Sequence, residues 1–256
     1  MITVADTPLV DQLHPAANIE PRRVPGPPTI LLLHYTGLIS CQKAIDWLSR
    51  PESKVSCHYV VDSDGTITQM VSEGLRAWHA GEGSWEGQDD VNSRSIGIEI
   101  HNPGHDRGYP DFPDAQMDAV ITLSADIVAR NGIEPWRVLA HSDIAPVRKI
   151  DPGEKFDWRR LAEAGVGLWV EPEPLGPLIG DVSTRPDPEL VAYVERLLAE
   201  YGYGVTPTGT FDAGLRTVMR AFQRHFRPAR VDGLLDHSSV ATLERLVAAK
   251  RARLTS

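Results

Sequence analysis

The sequence predicts an α/β domain, in which helices flank a mixed β-sheet, followed by a small three-helix domain. Short apolar runs alternate with amphipathic helical patterns through the first two thirds of the chain. A proline-rich stretch at 171–188 then interrupts the pattern. Beyond it the apolar residues recur only at helical spacing. We therefore expect domains over residues 1–172 and 189–256, joined by a linker over 173–188.

Five apolar runs predict the strands. Residues 29–34 form a continuous apolar run, which suits a buried central strand. The runs 58–62 and 66–71 flank Ser-Asp-Gly, a typical hairpin turn. Residues 95–100 and 138–141 predict two further strands.

Capping residues mark the predicted helices. Ser40 begins a helix that Pro51 ends, and a second helix runs from about 114 to 130 with Gly132 just beyond it. After the linker, three amphipathic helices begin near Leu190, Phe211 and Ser238.

Composition and charge narrow the classes of function. The chain is 41% hydrophobic and 24% charged, as is ordinary for a soluble globular protein. No run approaches the roughly 18 apolar residues that span a bilayer, and the start lacks the pattern of a secretory signal. The net charge of −9 is the sum of −11 before Gly176 and +2 from Gly176 onward, and the acidic first part argues against a nucleic-acid partner. We expect Cys41 and Cys57 to be reduced, buried thiols.

Three residues have side chains that suit a metal. His34 ends the first buried strand, His141 ends the last, and Asp151 follows ten residues later. Two imidazoles and one carboxylate suit a catalytic zinc that keeps a position open for water. Each also has an ordinary interpretation, because strand-end histidines are commonly structural and Asp before Pro commonly forms a turn. Residue types alone leave both interpretations open.

Five ordered motifs favour the metal site. They are LLLHYTG at 31–37, SCHYVV at 56–61, AWHAG at 77–81, SIGIE at 95–99 and AHSDIAPVRKIDPG at 140–153. With these motifs the chain, over residues 14–165, closely resembles N-acetylmuramoyl-L-alanine amidases of the AmpD and AmiD type, which share a fold with peptidoglycan recognition proteins.

The resemblance implies a role for each of five residues. His34, His141 and Asp151 match the ligands of one Zn²⁺ ion, Glu99 matches the catalytic glutamate, and Lys149 matches the catalytic lysine. A glutamate can move the proton of an attacking water, and a lysine can stabilise a developing oxyanion.

Other candidates for the third ligand are weaker. Asp143 lies only two residues from His141, and Asp157 stands before a helix start, where capping is its natural role. His79, His101 and His105 are spare ligand candidates that rank below the chosen three.

The substrate cleft is expected around the third motif. The segment Trp78-His79-Ala80 resembles the family's cleft wall, although a core tryptophan is an alternative. Arginine forks suit the carboxylates of a stem peptide. The predicted substrate-binding residues are Trp78, His79, Ala80, Asn92, Arg148 and His58, the last serving the cleft or the residues behind the metal.

The C-terminal helices carry a second resemblance. GTFD at 209–212, AFQRHF at 221–226 and VDGLLD at 231–236 resemble the three-helix peptidoglycan-binding domain. Gly214 departs from the family's usual residue and lowers helix propensity. The resemblance implies a tether to the cell wall, with a purely structural domain as the alternative.

The expected function is therefore zinc-dependent hydrolysis of the bond between N-acetylmuramic acid and L-alanine in peptidoglycan or muropeptides. A binding-only recognition protein is the alternative, but all five catalytic and ligand positions are filled. A zinc peptidase of another class is disfavoured because no His-Glu-x-x-His motif occurs.

We expect the protein to be a monomer. The absent signal favours the cytoplasm and the wall-binding module favours the periplasm, so localisation stays open, as does the choice between intact murein and anhydro-muropeptides.

Overall fold

Two β-sheets organise the first 140 residues in the computed structural model, which describes residues 2–176 and 186–255. The described strands are β1 (Gln12–Leu13), β2 (Ile19–Pro21), β3 (Ile30–Tyr35), β4 (Tyr59–Val61), β5 (Ile67–Gln69), β6 (Leu75–Ala77), β7 (Ser95–Ile100) and β8 (Val138–Ala140). The main sheet has the order β1-β5-β4-β7-β3-β8, and β2 pairs with β6 separately.

The described α-helices are α1 (Cys41–Ser49), α2 (Val91–Arg94), α3 (Asp114–Asn131), α4 (His141–Ile144), α5 (Trp158–Glu163), α6 (Pro188–Tyr201), α7 (Ala213–Phe226) and α8 (His237–Leu254). Ser40 caps α1 by accepting a hydrogen bond from the amide of Lys43, as the sequence predicts. Gly132, with φ of 64°, ends α3 in the left-handed conformation that glycine tolerates best.

The main sheet is mixed, which confirms the predicted fold class. Strand β3 runs parallel to both β7 and β8, whereas β4 and β5 form the predicted antiparallel hairpin. Strand β7 spans the residues expected for it. Strands β1, β2 and β6 were not predicted, because two or three residues are too few to establish an alternating pattern.

Both faces of β3 are buried, but different parts of the chain cover them. Leu31 and Leu33 belong to a core that includes α3. Ile30 and Leu32 belong to a second core, which continues without interruption into α6, α7 and α8. The last three helices, hereafter the C-terminal helices, therefore share a hydrophobic core with the central strand.

The C-terminal helices confirm the predicted three-helix unit, and each has an aspartate cap. Asp187, Asp212 and Asp236 accept hydrogen bonds from the first-turn amides of α6, α7 and α8. Within the predicted linker, the amide of Glu173 donates to Thr242 on α8, and residues 177–185 lie outside the described residues. The domain boundaries stay predictions.

Two further expectations concern the cysteines and the membrane. Cys41 and Cys57 are free and buried, as predicted, and burial raises the pKa of the Cys41 thiol to about 12. Across residues 2–176 and 186–255, no helix combines the length and apolar character needed to cross a bilayer.

Candidate metal centre and substrate cleft

Parallel strand pairing brings the predicted ligands together. Leu33 on β3 lies opposite Ala140 on β8, so that His34 and His141 come next at the same edge of the sheet. On the other side of β3, His34 is paired with Glu99 on β7. Paired residues of neighbouring strands point to the same face, so Glu99 shares the face of His34.

The three predicted ligands form a buried cluster, hereafter the metal cluster: His34, His141 and Asp151. The two Nδ1 atoms lie 2.8 Å apart. Asp151 Oδ2 lies 3.2 Å from Nδ1 of His34 and 3.0 Å from Nδ1 of His141. The exposed fractions of His34, His141 and Asp151 are 1%, 2% and 7%.

A chain of hydrogen bonds behind His34 determines which of its nitrogens carries the proton. The carbonyl of Val91 can only accept, so the Ser95 hydroxyl donates to it at 2.6 Å. Ser95 Oγ in turn accepts from Nε2 of His79 at 3.2 Å. His79 Nδ1 is then free to accept from Nε2 of His34 at 3.0 Å. The Nδ1 atom of His34 is therefore left with a lone pair that faces the cluster.

The same reasoning applies to His141. Its Nε2 lies 2.9 Å from the carbonyl oxygen of Ala80, which only accepts, so Nε2 carries the proton. Nδ1 of His141 therefore also presents a lone pair. Two imidazole lone pairs and a carboxylate oxygen converge, and such a set of acceptors is satisfied by a cation.

The charges of the cluster suit metal binding. Burial, followed by the neighbouring His141, lowers the pKa of His34 to about 4, so the imidazole is neutral near pH 7. Neutral imidazoles and an ionised carboxylate are the forms that bind metal ions.

Glu99 and Lys149 lie beside this cluster. Burial and the negative charge of Asp151 raise the pKa of Glu99 well above its ordinary value, whereas Lys149 opposes the rise. Among the described residues, none donates a hydrogen bond to the buried Oε2 of Glu99. A carboxyl group with a raised pKa and an unpartnered oxygen can both take up and release a proton during a reaction.

A cleft of about 370 Å³ opens next to the cluster and contains most of the predicted substrate-binding residues. Trp78, His79, Ala80, Asn92 and Arg148 line it together with His141 and Lys149. The side-chain oxygen of Asn92 accepts from the amides of His79 and Ala80, and so holds the wall in place.

Two predicted substrate residues have contacts that the motifs alone do not reveal. His79 lines the cleft but also supports His34 from behind. A Cβ on Gly97 would lie 2.4 Å from His79 Nδ1, so this ring requires the glycine of the SIGIE motif. His58 is fully buried, and its Nδ1 accepts from the amide of Gly97 while Nε2 bonds the carbonyl of Leu75. It does not line this cleft.

The weaker ligand candidates are engaged elsewhere. Asp157 caps α5 by accepting from the amide of Arg160, as predicted. His101 bonds the Thr36 hydroxyl, and His105 bonds Tyr35 and Glu154. Asp143 lies outside the cluster and accepts hydrogen bonds from two C-terminal side chains, Tyr203 and His225, which no sequence motif associates with the site.

Comparison with known proteins agrees with this geometry. Residues 24–154 match the family described as N-acetylmuramoyl-L-alanine amidase. The chain is 36% identical over 230 residues to the N-acetylmuramoyl-L-alanine amidase AmiD of Escherichia coli, covering 85% of this chain and 82% of AmiD. This chain belongs to the N-acetylmuramoyl-L-alanine amidase family. Residues 187–243 of the amidase match a peptidoglycan binding domain family.

Solved structures extend the likeness to nearly the whole amidase. The complex of E. coli AmiD with anhydro-N-acetylmuramic acid-L-Ala-D-γ-Glu-L-Lys superposes with a TM-score of 0.76 at 35% identity, over 89% of this chain and 91% of that one. AmpDh3 from Pseudomonas aeruginosa in complex with anhydromuramic pentapeptide gives 0.75 at 30% identity, over 98% and 99%. By contrast, the 1,6-anhydro-N-acetylmuramyl-L-alanine amidase AmpD of E. coli matches only 55% of this chain with 89% of its own length, at 34% identity.

Proposed function

We propose that this amidase uses one zinc ion, held by His34, His141 and Asp151, to hydrolyse the amide bond between N-acetylmuramic acid and L-alanine in muropeptides. The observation that carries the proposal is the convergence of three acceptor atoms, two Nδ1 lone pairs and one carboxylate oxygen, beside a cleft. Nitrogen and oxygen donors of this kind, three in number, are typical of catalytic zinc.

The zinc ion and Glu99 have different roles in the reaction. Bound zinc lowers the pKa of water to about 7 and polarises a carbonyl group. Glu99 takes the proton from the attacking water as the new C–O bond forms at the amide carbon. It then delivers that proton to the departing nitrogen of L-alanine as the C–N bond breaks. Its raised pKa and unpartnered oxygen support both transfers.

Lys149 supplies a positive charge next to the reacting carbonyl. The lysine lines the same cleft as His141, and its charge reaches Glu99. A cation at this position stabilises the oxyanion of the tetrahedral intermediate more strongly than it stabilises the neutral amide. The lysine therefore accelerates the reaction without contributing to metal binding.

The cleft walls are proposed to hold the muropeptide. The ring of Trp78 offers an apolar surface, and the guanidinium of Arg148 stands at the same cleft, where it donates to the carbonyl of Ala80. Stem peptides carry carboxylates that a guanidinium can bind. The muropeptides bound in the two solved relatives support this class of substrate.

We assign the peptidoglycan-binding role to the C-terminal helices, with domain limits at 172 and 189. The match to the binding-domain family supports the assignment. A tether would raise the concentration of wall substrate around the cleft.

The decisive experiment measures zinc and product on the same preparation. Purified protein is expected to hold one zinc per chain and to release, from a soluble anhydro-muropeptide, a peptide with a free L-alanine amino group. Mass spectrometry of the products identifies the cleaved bond, and intact sacculi tested in parallel establish the range of substrates. Cleavage at another bond, or full activity after complete removal of metal, would overturn the proposal.

A further inference from the structure

Two side chains from the C-terminal part of the chain contact the short helix that carries the metal ligand His141. Asp143 follows the metal ligand His141 by two residues on the short helix α4 and is 1% exposed. Its Oδ1 accepts a hydrogen bond from the Tyr203 hydroxyl at 2.7 Å. Its Oδ2 lies 2.7 Å from Nδ1 of His225. Both donors belong to the part of the chain that the sequence assigns to wall binding.

The two donors are themselves fixed. Tyr203 and His225 are each 3% exposed. The Tyr203 ring meets Trp85 edge-on with centroids 5.0 Å apart. The imidazole of His225 stacks on Trp158 of α5, with centroids 3.7 Å apart. Aromatic contacts of this kind limit rotation of both rings, so the donors hold a defined direction.

The turn that Asp143 anchors carries one member of the metal cluster, His141, and is hydrogen-bonded to the backbone of a second, Asp151. Asp143 Oδ2 also accepts from the amide of Ala140 at 2.8 Å, which closes the first turn of α4. In the same turn, the amide of Ser142 donates to the carbonyl oxygen of Asp151 at 3.1 Å. The position of α4 therefore determines the positions of two ligands, one directly and one through the backbone.

We propose that Tyr203 and His225 are positioning residues for the metal centre and that they act through Asp143. The inference rests on the proposed function, because it assumes that zinc binds the cluster. A buried carboxylate that loses a donor becomes unsatisfied and rearranges. Partners behind metal ligands commonly change metal affinity by about tenfold to a hundredfold when they are removed.

This role is distinct from tethering to the wall. A tether acts only on an immobilised substrate, whereas positioning acts on every substrate and on the metal itself. Zinc affinity and turnover of a soluble muropeptide therefore separate the two roles.

The test uses three single substitutions in the full chain. Tyr203→Phe removes only the hydroxyl, and His225→Phe keeps a ring to stack on Trp158 but removes the donor. Tyr201→Phe is the matched control, because this neighbouring tyrosine packs by its ring on Trp85 and Phe226. For each protein we would measure the zinc dissociation constant by competition with a chelator, the absorption spectrum of the Co²⁺ form, and kcat and KM on a soluble anhydro-muropeptide.

For Tyr203→Phe and His225→Phe we expect zinc binding weakened by about tenfold or more, an altered Co²⁺ spectrum and a lower kcat, with KM within about twofold of wild type. Tyr201→Phe should match wild type in all of these. His225→Gln, which restores an N–H donor, should recover part of the zinc affinity.

The outcome distinguishes this inference from the function on which it rests. Zinc affinity, spectrum and kcat that stay at wild-type values in both donor variants would overturn the inference and leave the proposed function intact. The inference would also be overturned if Tyr201→Phe reduced zinc affinity and kcat as much as Tyr203→Phe and His225→Phe do. A wild-type chain that binds no zinc would overturn both.

Discussion

The proposed metal centre has two halves, which are held in place by different regions of the chain. The sheet half consists of His34 and Glu99 on the paired strands β3 and β7, and its support, through His79 and Ser95, comes from the same domain. The loop half consists of His141, Lys149 and Asp151 in residues 141–151. Its support includes two donors from the C-terminal part of the chain, Tyr203 in the loop after α6 and His225 on α7. The proline-rich segment therefore separates the two regions along the sequence, but their side chains pack against each other.

The largest expected effect comes from removing one ligand from each half. His34→Ala and His141→Ala should each weaken zinc binding and lower muropeptide hydrolysis by more than about a thousandfold, because a correctly bound ion lowers the barrier by several kcal/mol. His237→Ala, at the exposed start of α8, is the control. Metal analysis and product release measure both effects. Full activity in a metal-stripped His34→Ala protein would refute the ligand assignment.

Glu99→Gln tests the catalytic group of the sheet half. The amide keeps the size of the side chain but cannot carry the proton, so kcat should fall by about 10² to 10⁴. Zinc content should stay at one per chain. Kinetics and metal analysis on one preparation check the prediction, and a kcat within a few fold of wild type would remove Glu99 from the mechanism.

Lys149→Ala tests the catalytic group of the loop half. Loss of one charge that stabilises the oxyanion should lower kcat by about 10² while zinc is retained. Lys149→Arg should recover part of the loss because the charge remains. Loss of zinc in Lys149→Ala would instead assign the lysine a role in holding the loop.

His79 tests the internal support of the sheet half. His79→Phe keeps a ring in the space above Gly97 but cannot accept from His34, so the zinc dissociation constant should rise by about tenfold to a hundredfold. Ser95→Ala breaks only the next bond of the chain and should have a smaller effect. Chelator competition measures both, and equal affinity in all three proteins would show that the hydrogen-bond chain does not orient His34.

The smallest expected effect is a pH dependence of stability in the sheet half. Burial and the neighbouring Arg22 lower the pKa of His58 to about 3, against about 6.5 in an unfolded chain. The unfolded state therefore takes up the proton first, and stability present above pH 6.5 is lost as the pH falls toward 3. In His58→Asn the loss in unfolding free energy between pH 7 and 4.5 should be smaller by about 2 kcal/mol.

Denaturant titrations of both proteins at the two pH values, with zinc at saturation, check this. Bound zinc contributes equally to the unfolding free energy of both proteins, so its contribution cancels when the two are compared. Equal losses in the two proteins would show that His58 does not titrate on unfolding in this range.

Much of the site was predictable because ordered motifs contain its residues, and two of these residues, His34 and His141, lie at the ends of strands β3 and β8. His34, His141 and Asp151 do converge, and β7 brings Glu99 to the same face. The hydrogen bonds that hold the ligands of each half in place could not be predicted from the motifs. A motif does not tell whether His79 faces the substrate or the metal ligand, since that depends on how closely the segment approaches Gly97.

The role of the C-terminal helices was hidden for a similar reason. Helical spacing shows that Leu197 and Leu198 are buried, but it does not show what buries them. In the structure they share a core with Ile30 and Leu32 of the central strand. Contacts between Asp143 and residues 60 to 82 positions later depend on that docking, which sequence periodicity does not encode.

X-ray absorption at the zinc edge reports the atoms bound to the ion in the intact chain. Coordination by His34, His141 and Asp151 requires nitrogen and oxygen neighbours at about 2.0–2.2 Å, including two imidazoles, one of which is lost in His34→Ala and one in His141→Ala. A shell that contains sulfur at about 2.3 Å, or that keeps two imidazoles in both variants, would contradict it.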